Sequence, residues 1–292
     1  MTLEIWNEPN GTTFWAPAPN PGDYGLLASA AVKAVKTECP GVPVVVGATA
    51  GCDIDFLGKV FDVPGLADVD AVSVHPYRTG PPKTFVQDRI RVQDLLRKKT
   101  GRSDIPLYSG EWGYPATNFG ERSEAAWKKQ AAYAIRLMLI SVWSGAPKTV
   151  WYDMMDDGPD PKNAEHNFGL VAEDGRAKPA YDAIKTLSDL LAGMRGSSEK
   201  ANKEAGDHWA VSKVDTKAED IYGLVFKNAS GQLAALWTSR EKAAAEIRIP
   251  DDAAYKFYDM YGRQAALTPV KREGGYCYLA LQGDAGPVYV KK

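Results

Sequence analysis

Two glutamates in this sequence stand in matching settings. Glu8 lies in the segment Glu4-Ile5-Trp6-Asn7-Glu8-Pro9-Asn10, and Glu111 in Pro106-Leu107-Tyr108-Ser109-Gly110-Glu111-Trp112. Each follows a short β-like run, and Pro9 cannot continue a ladder because it has no N–H to donate. A carboxylic acid and a carboxylate that face each other can cleave a glycosidic bond. One protonates the leaving oxygen while the other attacks the anomeric carbon or activates water against it. A separation of roughly 5–5.5 Å gives retention of configuration, and a wider gap gives inversion.

Such a pair has to be positioned by strands that end on one side of a sheet. From Met1 to about Met194 the pattern alternates β-branched or aromatic runs with longer helical stretches, which predicts parallel βα units. Five strands are expected, at Leu3–Trp6, Val42–Gly47, Val69–His75, Ile105–Gly110 and Thr149–Asp153. The helices are expected at Tyr24–Thr37, Ile54–Phe61, Phe85–Lys99, Glu121–Val142 and Ala180–Leu191. Several limits have mechanical causes. Pro40-Gly41 stops the first helix, Gly101 stops the third after the basic run Arg97-Lys98-Lys99, Ser123 opens the fourth and Pro179 opens the fifth.

After Gly196-Ser197-Ser198 the texture changes to short strands with polar turns and no helices, which predicts an antiparallel β-sandwich. The expected strands are Trp209–Val214, Ile221–Lys227, Leu233–Thr238, Ala245–Ile249, Lys256–Tyr261, Tyr276–Leu281 and Val288–Lys291, with a hairpin turn over Asn228–Gly231. The domains are therefore expected at 1–195 and 196–292.

Asn7-Glu8-Pro9 after one strand and Glu111 after another resemble the paired motifs of glycoside hydrolase clan A, retaining enzymes built on a (β/α)8 barrel, with families 39 and 5 nearest. Val74-His75-Pro76-Tyr77, Trp151, and the run from Asn167-Phe168-Gly169-Leu170-Val171 to Lys178-Pro179-Ala180-Tyr181 fit the same resemblance. It implies an α/β fold, an incomplete TIM barrel of strands four to eight followed by the sandwich. It also implies cleavage of a β-glycoside by double displacement, with Glu8 as acid/base and Glu111 as nucleophile. Asn7 would bind the sugar 2-hydroxyl, Tyr77 would hold the nucleophile, Trp151 would stack on the sugar ring and His75 would line the site. The alternative is a carbohydrate-binding remnant with the pair intact and turnover impaired.

By that resemblance three βα units would precede the Asn-Glu motif, and five parallel strands cannot close a barrel of eight. A second copy of the chain, associated about a two-fold axis, is expected to cover the open half-barrel.

Bulk properties exclude some alternatives. A formal net charge of −2 over 292 residues offers no basic stripe for nucleic acid. No apolar run approaches the roughly 20 residues of a membrane span; Ala131–Trp143 is interrupted by Arg136 and reads as a buried helix. The start Met1-Thr2-Leu3-Glu4-Ile5-Trp6 lacks the basic and apolar regions of a secretory signal. The three cysteines, Cys39, Cys52 and Cys277, read as thiols, with a Cys39–Cys52 disulfide left open. No metal or organic cofactor is expected. Asp153, Asp156, Asp157 and Asp160 read as an acidic loop or a rim contact to substrate hydroxyls, His166 and His208 as loop residues, and Trp209 and Trp237 as core of the second domain.

Overall fold

The computed structural model describes residues 2–192, 210–213, 219–228, 231–240, 244–264, 269–282 and 285–292. The chain forms two compact units, Met1–Gly113 with Ile140–Tyr152, and Tyr114–Leu139 with Asp153–Lys292. The domain boundary expected at residue 195 lies outside the described residues, as do His208, Trp209 and the turn residues Ala229 and Ser230.

The first unit is built on a five-stranded parallel sheet of β1 (Leu3–Glu4), β2 (Val44–Ala50), β3 (Ala71–His75), β4 (Leu107–Trp112) and β5 (Thr149–Trp151), ordered β1-β2-β3-β4-β5. Between the strands run α1 (Pro21–Glu38), α2 (Ile54–Val60) and α3 (Phe85–Thr100). This is the arrangement of five consecutive βα units of a (β/α)8 barrel. Val44, Val46, Val72, Val74 and Leu107 of the strands are buried, as are Leu57, Val92 and Leu96 of the helices. Near-continuous Val runs are what a two-faced parallel sheet requires.

Local chemistry sets the helix ends. Asn20 caps α1 by accepting from the N–H groups of Gly22 and Asp23, with Pro21 in the first turn. Asp53 caps α2 through Phe56 N–H. Gly101 ends α3 in the left-handed conformation, φ 74°, just after the basic run. The helix expected from Glu121 begins instead at Glu124 (α4, Glu124–Ser144), because Ser123 Oγ takes the N–H of Ala126. Arg136 is buried within it.

β5 ends at Trp151, short of the expected Asp153, and β2, β3 and β4 each begin two residues later than expected; the carboxyl-end limits of β1, β2 and β4 differ for one reason, the backbone conformation there. β1 stops at Glu4 because Trp6 turns left-handed, φ 68°. β2 and β4 run on to Ala50 and Trp112 through irregularities, between Val46 and Thr49 in β2 and between Ser109 and Trp112 in β4. Gly47 (φ 117°) and Ala48 (φ 47°) form the first of these. Tyr24, fully buried on α1, braces it: its hydroxyl donates to Ile5 C=O and accepts from Gly47 N–H, both at 2.9 Å. Burial pushes this phenol well above the usual tyrosine range.

The second unit holds most of α4, then α5 (Pro179–Ala192) and two antiparallel sheets. One sheet is ordered β10 (Lys256–Tyr258), β13 (Val288–Lys291), β8 (Gly231–Thr238), β7 (Ile221–Asn228), β6 (Ala210–Lys213), and the other β11 (Lys271–Glu273), β12 (Tyr276–Leu281), β9 (Ala245–Pro250). Leu236, Val288 and Val290 of the first share one core with Ile247, Leu279 and Leu281 of the second, which makes a β-sandwich. Trp237 is buried and stacked on Tyr222 at 5.3 Å. Strand β11 escapes the sequence pattern because Lys271-Arg272-Glu273 carries no apolar alternation; Gly274 and Gly275, both at positive φ, turn it onto β12. All three cysteines are free thiols. Among the described residues no helix is long and apolar enough to cross a membrane.

The acidic loop after β5 is held from inside the second unit. Asp156 is fully buried against Lys178 Nζ at 2.9 Å, receives Gly169 N–H at 2.7 Å, and has Arg122 at 3.3 Å from its other oxygen. Asp153 Oδ1 is buried and has no hydrogen-bond partner. Burial first, and then the charges of Asp157 and Asp156, push its carboxyl up to about 7, with Lys178 opposing.

Two tests follow from these supports. Tyr24→Phe orphans the Gly47 N–H and the Ile5 C=O together, and should lower the unfolding free energy by roughly 1–3 kcal/mol in urea denaturation. Asp153 binds its proton more tightly folded than unfolded. Its stabilising contribution is therefore complete below the ordinary carboxylate range and is lost as pH rises through about 7. Asp153→Asn should gain stability relative to the parent chain between about pH 4 and about pH 7; parallel pH profiles for the two proteins would refute the assignment.

Candidate active site

The carboxyl ends of β1, β3 and β4 bring four of the six residues expected from sequence to one place. His75 Nδ1 lies 3.0 Å from Glu8 Oε1 and 3.9 Å from Glu111 Oε2. Tyr77 donates its hydroxyl proton to Glu111 Oε1 at 2.5 Å. One ligand atom from each of Glu8, His75 and Glu111 lies within 4.8 Å of the other two. His75 is only 2% exposed, whereas both carboxylates are partly open to solvent. Burial and the Glu111 carboxylate hold the Tyr77 phenol far above the usual tyrosine range, so it stays a proton donor.

Glu8 reaches this position by an unusual backbone path. Trp6 and Glu8 itself are left-handed, with φ 68° and 42°, a region that non-glycine residues avoid. Between them the chain swings out of the sheet and returns, Glu8 N–H bonding Ala48 C=O at 2.8 Å. Asn10 locks the return. Its amide accepts from Ala50 N–H at 2.8 Å and donates to Ala50 C=O and to Asp53, the cap of α2. Trp6 is 53% exposed, its Nε1–H bonded to Phe14 C=O and its ring edge-on to Trp15.

Glu111 reaches the site through the irregularity in β4. Ser73 and His75 lie on one face of β3, and Tyr108 is in register with Ser73. Strict alternation would then put Gly110 on the site's face and Glu111 on the opposite one. Two residues of β4, Gly110 and Glu111, stand against one of β5, Val150, between the pairs Ser109–Thr149 and Trp112–Trp151, so the parity reverses. Glu111 turns to Tyr77 and His75, and Trp112 turns to Phe85 of α3, with ring centres 5.1 Å apart. A side chain at Gly110 would collide with Ser73 Oγ and with the carboxylate of Glu4.

Sequence reasoning missed Arg78. Its guanidinium sits 5.0 Å from the Trp112 ring and 5.7 Å from that of Phe85, bonds Pro76 C=O at 2.9 Å, and pairs with Asp88 at 3.1 Å. It thus ties the loop that carries His75 and Tyr77 to the strand end that carries Glu111. Tyr152 was missed as well: its ring packs edge-on against Tyr77 at 6.4 Å. Nothing in the local pattern separates Tyr152 from Trp151, its neighbour. Trp151 ends β5 in register with Trp112, and Asn7 lies partly buried in the loop just before Glu8.

No protein-family model matches the chain. It is similar to a β-xylosidase of Geobacillus stearothermophilus, 27% identical over 78% of this chain and 48% of that protein. It is also similar to the structure of a family 39 glycoside hydrolase from Bacteroides cellulosilyticus WH2, 24% identical with a TM-score of 0.73, covering 98% of this chain and 57% of that one. A third likeness is to a family 51 arabinofuranosidase from Xanthomonas axonopodis pv. citri, 13% identical with a TM-score of 0.65, over 99% of this chain and 65% of that one. The chain thus spans about half the length of the β-xylosidase it matches, 48%. Its fold, a five-stranded parallel half-barrel sheet with a β-sandwich, is one it shares with glycoside hydrolases of families 39 and 51.

Proposed function

We propose that this chain carries the catalytic pair of a retaining β-glycosidase, with Glu8 as acid/base and Glu111 as nucleophile. The observation that carries the reading is the short reach between the two carboxylates, whose oxygens lie within 4.8 Å of each other and of His75. That reach fits direct attack by a carboxylate better than the roughly 6.5–9.5 Å that leaves room for an intervening water.

In this reading the Tyr77 hydroxyl fixes Glu111 Oε1, so that Oε2 is the oxygen free to attack the anomeric carbon. Glu8 gives its proton to the departing oxygen and a glycosyl ester forms on Glu111. Glu8 then takes a proton from water as water displaces the ester, and the second inversion restores the starting configuration. His75, bonded to Glu8, keeps that carboxyl aimed. Asn7 bonds the sugar 2-hydroxyl, an interaction that tightens as positive charge develops at the anomeric carbon. Trp151 supplies a stacking surface for the ring. The likeness to a β-xylosidase supports a pentoside as the first substrate to try.

A panel of aryl β-xyloside, β-glucoside, β-galactoside, β-mannoside and β-fucoside tests the proposal. Release of the aryl alcohol from at least one member is expected, with Glu111→Ala lowering the rate by on the order of 10⁴-fold or more, as loss of a catalytic nucleophile does. Saturable sugar binding without turnover would instead assign the chain as a carbohydrate-binding relative of such enzymes. Turnover unaffected by Glu111→Ala would refute the assignment of the pair.

A further inference from the structure

We infer that Glu8, His75 and Glu111 form a binding site for a divalent transition-metal ion of the zinc type, one that competes with any sugar for the same space. Three atoms of the right kind converge: one imidazole nitrogen and two carboxylate oxygens, with separations of 3.0 Å and 3.9 Å from the nitrogen and none beyond 4.8 Å. Zinc holds nitrogen and oxygen ligands at about 2.0–2.2 Å, which puts tetrahedral neighbours roughly 3.3–3.6 Å apart. The three atoms already bracket that spacing. Small rotations of the two partly exposed carboxylates close the remainder, while the buried ring of His75 stays fixed. The fourth position faces the solvent-open side and would carry water.

Charge points the same way. Two carboxyl groups held this close, with no Lys or Arg paired to either among the described residues, repel when both are ionised, and a dication replaces that repulsion with two attractions. The donor set then selects among cations. An imidazole nitrogen favours zinc, copper or cobalt, whereas calcium and magnesium seek six or more oxygens that this site does not offer. The ion is a ligand that blocks the pair, not a participant in hydrolysis.

The experiment is calorimetric titration of the whole chain with zinc chloride in a non-chelating buffer, followed by the same titration of Glu8→Gln, Glu111→Gln, His75→Asn and His166→Ala. Expected is saturable uptake of one zinc per chain below millimolar metal. Each of the first three substitutions should weaken it at least tenfold, since disturbing even a supporting partner of a metal ligand costs about 10–100-fold. His166→Ala, in the other unit, should leave it unchanged, and excess magnesium should not compete. Glutamine is isosteric with glutamate, so these variants report on ligation even if His75→Asn fails to fold; circular dichroism checks each. Absence of uptake by the folded parent chain overturns the inference, as does uptake that survives both glutamine substitutions. Neither result depends on whether the chain hydrolyses glycosides. If hydrolysis is found, zinc should inhibit competitively at the concentration at which it binds.

Discussion

Two carboxyl groups with oxygens within 4.8 Å of each other in a partly buried setting repel whenever both are ionised, and the rest of the first unit is arranged around keeping them there. A hydrogen bond from Tyr77 takes one oxygen of Glu111, and the ring of His75 stands between the two acids. These supports need supports of their own. Arg78 fastens the His75–Tyr77 loop to the strand end bearing Glu111, Asn10 fastens the loop bearing Glu8 to β2 and the cap of α2, and the Tyr24 hydroxyl fastens the β2 irregularity to β1. Each brace joins elements far apart in sequence, so the geometry of the pair is a property of the whole sheet edge.

Left-handed backbone at Trp6, Glu8 and Ala48 is the cost of this placement. Conformations of this kind, at non-glycine residues, are each unfavourable by about 1–3 kcal/mol and persist only where the surroundings over-determine them. The hydrogen bonds of Asn10 and Tyr24 supply that over-determination, and they cluster where the chain leaves β1.

That Glu8 and Glu111 come together was legible in sequence because each follows a short β-like run, a local signal repeated at both. The helix limits at Ser123 and Gly101 were legible for the same reason, whereas the cap at Asn20 went unread and α1 begins at Pro21, ahead of the expected Tyr24. What could not be read was anything that depends on pairing. The irregularities in β2 and β4 exist only relative to the neighbouring strands, so the expected strands ended too early at Gly47 and Gly110. Arg78 looks like an ordinary loop cation until Trp112 and Phe85 are seen beneath it. Strand β11 has no apolar face and owes its existence to the double-glycine turn and its partner β12. Trp237 read as core and is core.

The parity reversal in β4 has a consequence for how such a site can be inherited. In an alternating strand, identity and direction are separate pieces of information: a residue's type is written at its own position, but the side it faces is written in the count of residues before it. Here the count differs by one between β4 and β5, and that single unit of length decides whether Glu111 meets Glu8 or is buried beneath α3. A lineage that kept every side chain of Tyr108-Ser109-Gly110-Glu111-Trp112 but gained one residue between Thr149 and Trp151 would keep the motif and lose the site. Comparison of relatives by the identity of these residues alone would not detect the difference; comparison of the length from Ser109 to Trp112 with that from Thr149 to Trp151 would.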